Sequence, residues 1–431
     1  MKNKVAVCLA LVGLLGMGGQ AFAVIGTIDD VPAATLLLPY FEVDISQATP
    51  SGINTFFSIN NASATAVLAH VTVWSDQSIP VLDFDVYLTG YDVQTISLFD
   101  ILKNGNLPRT ASAGQDPSAA ALGVGISPRG PFSQDINFAS CTGTLPYAVP
   151  ALNPAFRAHL QAILQGKASP TFGNCYGSKK NDNILRGYVT VDTVNSCNVL
   201  FPSQMLTGYD SVLTDQNVLW GDYFYVNTTA NFASGETMVA IESCPTCFAP
   251  GDHTFYGRYD NATAIDAREP LPTTMGARYL GTGNFFGGGT DFVVWREGGN
   301  QASAVGYNCN LQGPAQWYPL SLRQVVVFDE TEQVVTPENC PSGFDCGVDI
   351  EIPNEAQRID VVTTLLTPFP FGWAYLNLQL SGAPPMSVLP AYGDTFAQMW
   401  LETVMDSNGR FSVGFDGVQF DNANAPAGTI Q

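Results

Sequence analysis

The sequence predicts an all-β fold built as two tandem, internally repeated β-sandwich domains, the first with a long insertion containing one short helix. Two observations carry this. Apolar residues alternate with period two in many short runs, and those runs recur in the same order in the two halves of the chain. Turn residues separate the runs, with 41 Gly and 28 Pro in 431 residues.

The first 23 residues have the pattern of a secretory signal peptide. Lys2 and Lys4 precede an apolar stretch from Val5 to Gly16, and Ala21-Phe22-Ala23 is a small-x-small cleavage site. The expectation is export to the periplasm or the extracellular space. Cys8 falls in the removed segment, leaving eight cysteines, an even number suited to disulfides in an oxidising compartment. Sequence-local pairings are Cys340 with Cys346 and Cys141 with Cys175, which bracket a helix described below; Cys244 with Cys247 and Cys197 with Cys309 complete the expected set.

The first domain is expected over 24–270. Val67, Ala69, Val71 and Val73 share one face of a strand, and Asp85–Leu88, Gly187–Val191 and Tyr223–Val226 are similar runs. The second domain is expected over 271–431, because the same phrases return there. Val71-Thr72-Val73-Trp74 matches Val325-Val326-Val327-Phe328, and Thr55-Phe56-Phe57 matches Thr290-Asp291-Phe292. Gly187-Tyr188-Val189 matches Gly372-Trp373-Ala374, and Trp220 and Trp400 follow at similar distances. Shared order persuades where any single match does not. These phrases are similar to those of immunoglobulin-like (Ig-like) sandwich modules in general, a resemblance that implies layering and no particular function.

The insertion spans 100–186, where strand patterning gives way to Ala, Gly, Ser and Pro. Asn153 and Pro154 open a helix whose apolar stripe is Phe156, Leu160, Ile163 and Leu164, and Gly166 closes it. Charge is uneven along the chain. Residues 24–99 hold eight acids and no Lys or Arg, whereas 100–186 hold eight bases and four acids. Such a basic lobe can dock on its own acidic body or on a neighbouring molecule.

A net charge of −21 argues against nucleic-acid binding, and no apolar run after the N-terminus is long enough for a membrane-spanning helix. Three histidines limit acid–base chemistry: His70 in a strand, His159 on the helix and His253 in a loop. No Gly-x-Ser-x-Gly or His-Glu-x-x-His motif occurs. Cys244-Pro245-Thr246-Cys247 is followed by Pro250 and Gly251, so it lacks the helix a redox thiolate needs and reads as a disulfide-bonded turn. No cofactor is predicted; calcium is compatible with so acidic a chain, without an identifiable site.

Trp220-Gly221-Asp222-Tyr223-Phe224-Tyr225 concentrates four rings, and Tyr223 and Tyr225 are the candidates for an exposed binding platform. The expected function is a non-enzymatic exported binding or structural protein of a bacterial envelope or extracellular matrix. Its partner would be a cell-surface protein, a glycan or a second copy engaged through the basic insertion. The competing expectation is a secreted polysaccharide hydrolase or lyase, with acids such as Asp222, Glu236 and Glu242 as nominal candidates.

Overall fold

The computed structural model describes residues 31–110, 138–246, 254–259, 267–281, 287–297, 306–310, 325–335, 352, 354–364, 369–378 and 398–422. The predicted signal segment lies outside them. The fold is all-β, with four antiparallel sheets. Sheet I has the order β10 (Val239–Ile241), β1 (Thr35–Asp44), β6 (Ile184–Val194), β3 (Val67–Ser75) and β4 (Pro80–Leu88). Sheet II has the order β5 (Val93–Ser97), β2 (Ile53–Asn61), β8 (Asp222–Asn227) and β9 (Phe232–Thr237), with β7 (Leu219–Trp220) also paired to β2. Leu36, Val71, Phe57 and Ile59 of these two sheets belong to one buried core. Strand β3 is buried along its whole length. Its alternation therefore separates an apolar face from one that carries His70, Thr72 and Trp74, rather than core from solvent.

Sheet III has the order β14 (Val334–Val335), β13 (Val325–Phe328), β16 (Phe371–Asn377), β11 (Pro272–Leu280) and β19 (Val418–Asn422). Sheet IV has the order β15 (Ala356–Asp360), β12 (Gly289–Arg296), β17 (Met399–Asp406) and β18 (Ser412–Asp416). Strand for strand, β14-β13-β16-β11-β19 follows the order β4-β3-β6-β1-β10, and β15-β12-β17-β18 follows β5-β2-β8-β9. Local details coincide as well. Thr55 Oγ1 accepts from the Glu42 amide and donates to its carbonyl, both at 3.0 Å, and Thr290 does the same to Leu280 at 2.8 and 2.9 Å. Trp74 pairs with Tyr188 across β3 and β6, and Phe328 with Trp373 across β13 and β16; both ring pairs are stacked. Four residues after Trp74 and Phe328, Ser78 and Glu332 each turn the chain at φ 60°. Beside each stack stands a glycine whose added Cβ would meet a carbonyl oxygen, 1.9 Å from Trp74 at Gly187 and 1.8 Å from Phe328 at Gly372.

The two pairs of sheets touch at an exposed strand edge and through buried side chains. Strand β9 lies beside β18, where Ser412 Oγ accepts from the Ala233 amide at 3.2 Å and donates to the Ala233 carbonyl. Tyr223 of β8 donates to Glu402 of β17 at 2.8 Å, and Trp295 of β12 sets its ring edge-on to Tyr188 at 6.0 Å.

In the insertion, helix α1 (Pro154–Ile163) forms as its sequence directs: the Asn153 side chain accepts from the Phe156 amide at 2.8 Å, and His159, Leu160 and Ile163 are buried. Three of its bases bond neighbouring backbone or side-chain oxygens. Lys103 donates to the Ile45 carbonyl at 2.6 Å, Arg157 to the Asn104 carbonyl at 2.8 Å and Lys167 to Gln165 at 2.6 Å.

Two expected disulfides are corrected. Cys141 pairs with Cys197, not Cys175, and Cys175 pairs with Cys309. Cys197 follows β6, and its amide donates to Ser140 at 2.8 Å, beside Cys141. Cys175 and Tyr307 exchange backbone hydrogen bonds at 2.9 and 2.7 Å, which places Cys309 within reach. Cys244 is disulfide-bonded. Cys247, Cys340 and Cys346 lie outside the described residues.

Candidate functional site

A polar cleft of about 320 Å³ lies where β1 and β6 meet β12 and β15. Its walls are joined by one chain of opposite charges. Arg186 of β6 donates to Asp182 at 2.7 and 2.9 Å and approaches Glu42 of β1 at 3.5 Å. Arg358 of β15 approaches the other Glu42 oxygen at 3.8 Å and binds Asp291 of β12 at 2.6 Å. Tyr40 donates to Glu42 at 3.0 Å. Strand register explains the meeting: Glu42 is opposite Arg186 in the β1–β6 ladder, and Arg358, opposite Val293 in the β12–β15 ladder, is the diagonal same-face neighbour of Asp291 two residues along.

Electrostatics follow the pairing. Burial raises the Asp291 carboxyl above its usual range despite Arg358, while at Asp182 burial is the largest single influence but is outweighed by Arg186, the Ile184 amide and Lys180 together, which hold its carboxyl low. Both guanidiniums are held more firmly protonated than usual by their carboxylates, against the cost of burial. Lys180 lines the cleft and makes no ion pair among the described residues. Among the described residues no Ser, Cys or His lines the cleft; of its three carboxylates, the half-buried Glu42 and Asp291 share Arg358, which opposes their use as an acid and a base, and Asp360 stands outside that pairing.

A second polar row crosses sheet I away from the cleft. Register aligns Asp85, His70, Asp192 and Thr35 on β4, β3, β6 and β1. His70 meets Asp85 at 2.8 Å; Asp192 accepts from Tyr209 at 2.5 Å, Tyr256 at 2.8 Å and Thr35. Burial alone would lower the His70 pKa, but the bond to Asp85 and the surrounding carboxylates raise it. Every member is buried, so the row joins strands rather than meeting a ligand.

The expected tyrosine platform is reversed. Tyr223 and Tyr225 are 0% and 2% exposed, while Phe224 between them is 44% exposed. Their hydroxyls are used internally, Tyr223 on Glu402 and Tyr225 on the Tyr40 carbonyl at 2.9 Å. Asp222 accepts from Ser58 at 2.8 Å, and Asp222, Glu236 and Glu242 do not line the cleft. His159 packs among Phe156, Phe172 and Tyr176 and bonds Ser169 at 2.8 Å; burial lowers its pKa. His253 lies outside the described residues. Among the described residues, no group of three His, Cys, Asp or Glu is gathered as a metal site requires, and no helix is long and apolar enough to cross a membrane.

Glu42, Asp291 and Arg358 were not among the sequence-level candidates. The available signal was scarcity, since Asp291 and Arg358 interrupt strand alternation in a chain that is only 13% charged. No family model, curated protein or solved structure matches the chain.

Proposed function

We propose that the protein is a non-enzymatic exported binding or structural protein of a bacterial envelope or extracellular matrix. It would consist of two homologous, immunoglobulin-like sandwich units, about 24–270 and 271–431. The coincident strand orders, threonine clasps and glycine-backed aromatic stacks support the duplication. One observation carries the functional reading: the Asp182–Arg186–Glu42–Arg358–Asp291 chain ties four of the six charges lining the cleft to one another across the two units, with Lys180 and Asp360 outside it. A clamp of this kind favours rigidity over turnover. Lys103, which bonds the Ile45 carbonyl, and Arg186, which lies beside Glu42, tie the insertion to its own body.

The test is incubation of the purified protein with a panel of envelope and matrix polysaccharides. Reducing ends and unsaturated uronates are measured for turnover, and co-sedimentation for retention. Retention without product is expected. Product formation above a heat-killed control would overturn the reading in favour of a hydrolase or lyase.

A further inference from the structure

The two halves treat equivalent surfaces differently. On the outer face of sheet I, the Trp74–Tyr188 stack is fully buried. Tyr259 lies over Trp74 at 6.1 Å, and Trp295 of sheet IV covers Tyr188 while packing on Phe255 at 4.7 Å. On sheet III, the corresponding stack of Phe328 and Trp373 is half-buried. Its rings lie 4.0 Å apart and continue through Tyr375 to Phe420 as an aromatic ladder across the sheet. Phe420 and Val418 are 41% and 62% exposed, and Gly276 leaves the room in which Phe420 lies.

A second face, on sheet II, is open. In sheet IV, the face of β12 carrying Asp291, Val293 and Trp295 packs against the first half. By the strand correspondence, its counterpart in sheet II carries Phe56, Ser58 and Asn60 on β2, with Phe224 on β8 and Val93 on β5. Phe224 and Val93 are 44% and 59% exposed, and Phe56 is half-buried. Asp222 borders this face; the ladder is bordered by exposed Arg278 and by Asp329, Glu330 and Glu332 of the β13–β14 turn, so the match between the two faces is apolar and aromatic rather than ionic.

We propose that the aromatic face of sheet III docks the open face of sheet II on a second copy of this chain. The contact would repeat between molecules the kind of packing that already joins sheet IV to sheet I within one. It joins unlike faces, so it builds head-to-tail assemblies, open chains or closed rings according to the rotation between copies. This deepens the reading of a structural protein. It fails on sizing, whereas that reading fails on product formation, so the two outcomes are distinguishable.

The experiment is sedimentation velocity on the purified protein and on Phe224→Asp and Phe420→Asp, both at exposed positions, with circular dichroism to confirm folding. At about 100 µM, the concentration scale of a weak protein–protein contact, the wild type is expected to show a mean mass at least twice that of the monomer. Added salt should raise that mass, because copies of net charge −21 repel one another. Each variant alone should stay monomeric, since each lacks one of the two faces. Mixing them should restore a one-to-one pair and nothing larger. A wild type that stays monomeric, or variants whose mixture does not pair, would overturn the proposal. So would a monomer whose tryptophan fluorescence is quenched by a soluble polysaccharide, which would make a glycan the occupant of the ladder.

Discussion

Glu402 gives the sharpest energetic prediction. Its side chain is fully buried on β17; Oε2 accepts from Tyr223, and Oε1 has no hydrogen-bond partner. Burial pushes its carboxyl from 4.5 up to about 8; Asp416 of β18 and Glu236 of β9 push the same way, and Tyr223 of β8 and Arg358 of β15 oppose them. The folded state therefore holds a proton that the unfolded chain releases near pH 4.5. Its contribution to stability is complete below that pH and is lost progressively up to about 8. A gap of that size corresponds to about 4–5 kcal/mol. Glu402→Gln keeps an acceptor for Tyr223 and abolishes the titration. Urea unfolding followed by circular dichroism at pH 5, 7 and 9 should show the variant gaining on the wild type as pH rises, by several kcal/mol at pH 9. Parallel stability curves for the two proteins would refute the reasoning.

Two further predictions concern the architecture. Gly187→Ala and Gly372→Ala each place a Cβ against a carbonyl oxygen, so each should cost about 3 kcal/mol or more, seen as a large fall in Tm. Peptide mapping of the unreduced protein should recover Cys141 linked to Cys197 and Cys175 linked to Cys309. Cys175→Ser with Cys309→Ser should lower stability by about 2–4 kcal/mol in denaturant titrations, because it opens a loop with a sequence separation of 134.

The all-β class was legible because its signal is local: Val67–Ser75 and Gly187–Val191 alternate and end at turn residues. The phrases Trp74, Gly187 and Tyr188 in one half and Phe328, Gly372 and Trp373 in the other were also legible, and they occupy matching places in sheets of the same order. Exposure was not. Alternation places Tyr223 and Tyr225 opposite Phe224, but which side meets water depends on sheet I and on Glu402, far away in the chain. Disulfide partners were hidden for the same reason, since the Cys175–Tyr307 bridge is a long-range event. The cleft was least legible. Glu42, Arg186, Asp291 and Arg358 are single charges on four strands, and only register and packing gather them.

The functional account rests on the cleft charges being bound to one another. A double-mutant cycle on Glu42→Gln and Arg358→Met, measured by denaturant unfolding, tests this most directly. A coupling energy of about 1–3 kcal/mol is predicted, with the single Arg358 change destabilising because it leaves Asp291 without its cation while Glu42 keeps Arg186 and Tyr40. Coupling near zero, with both single variants as stable as the wild type, would contradict the clamp. It would leave these side chains free for a substrate.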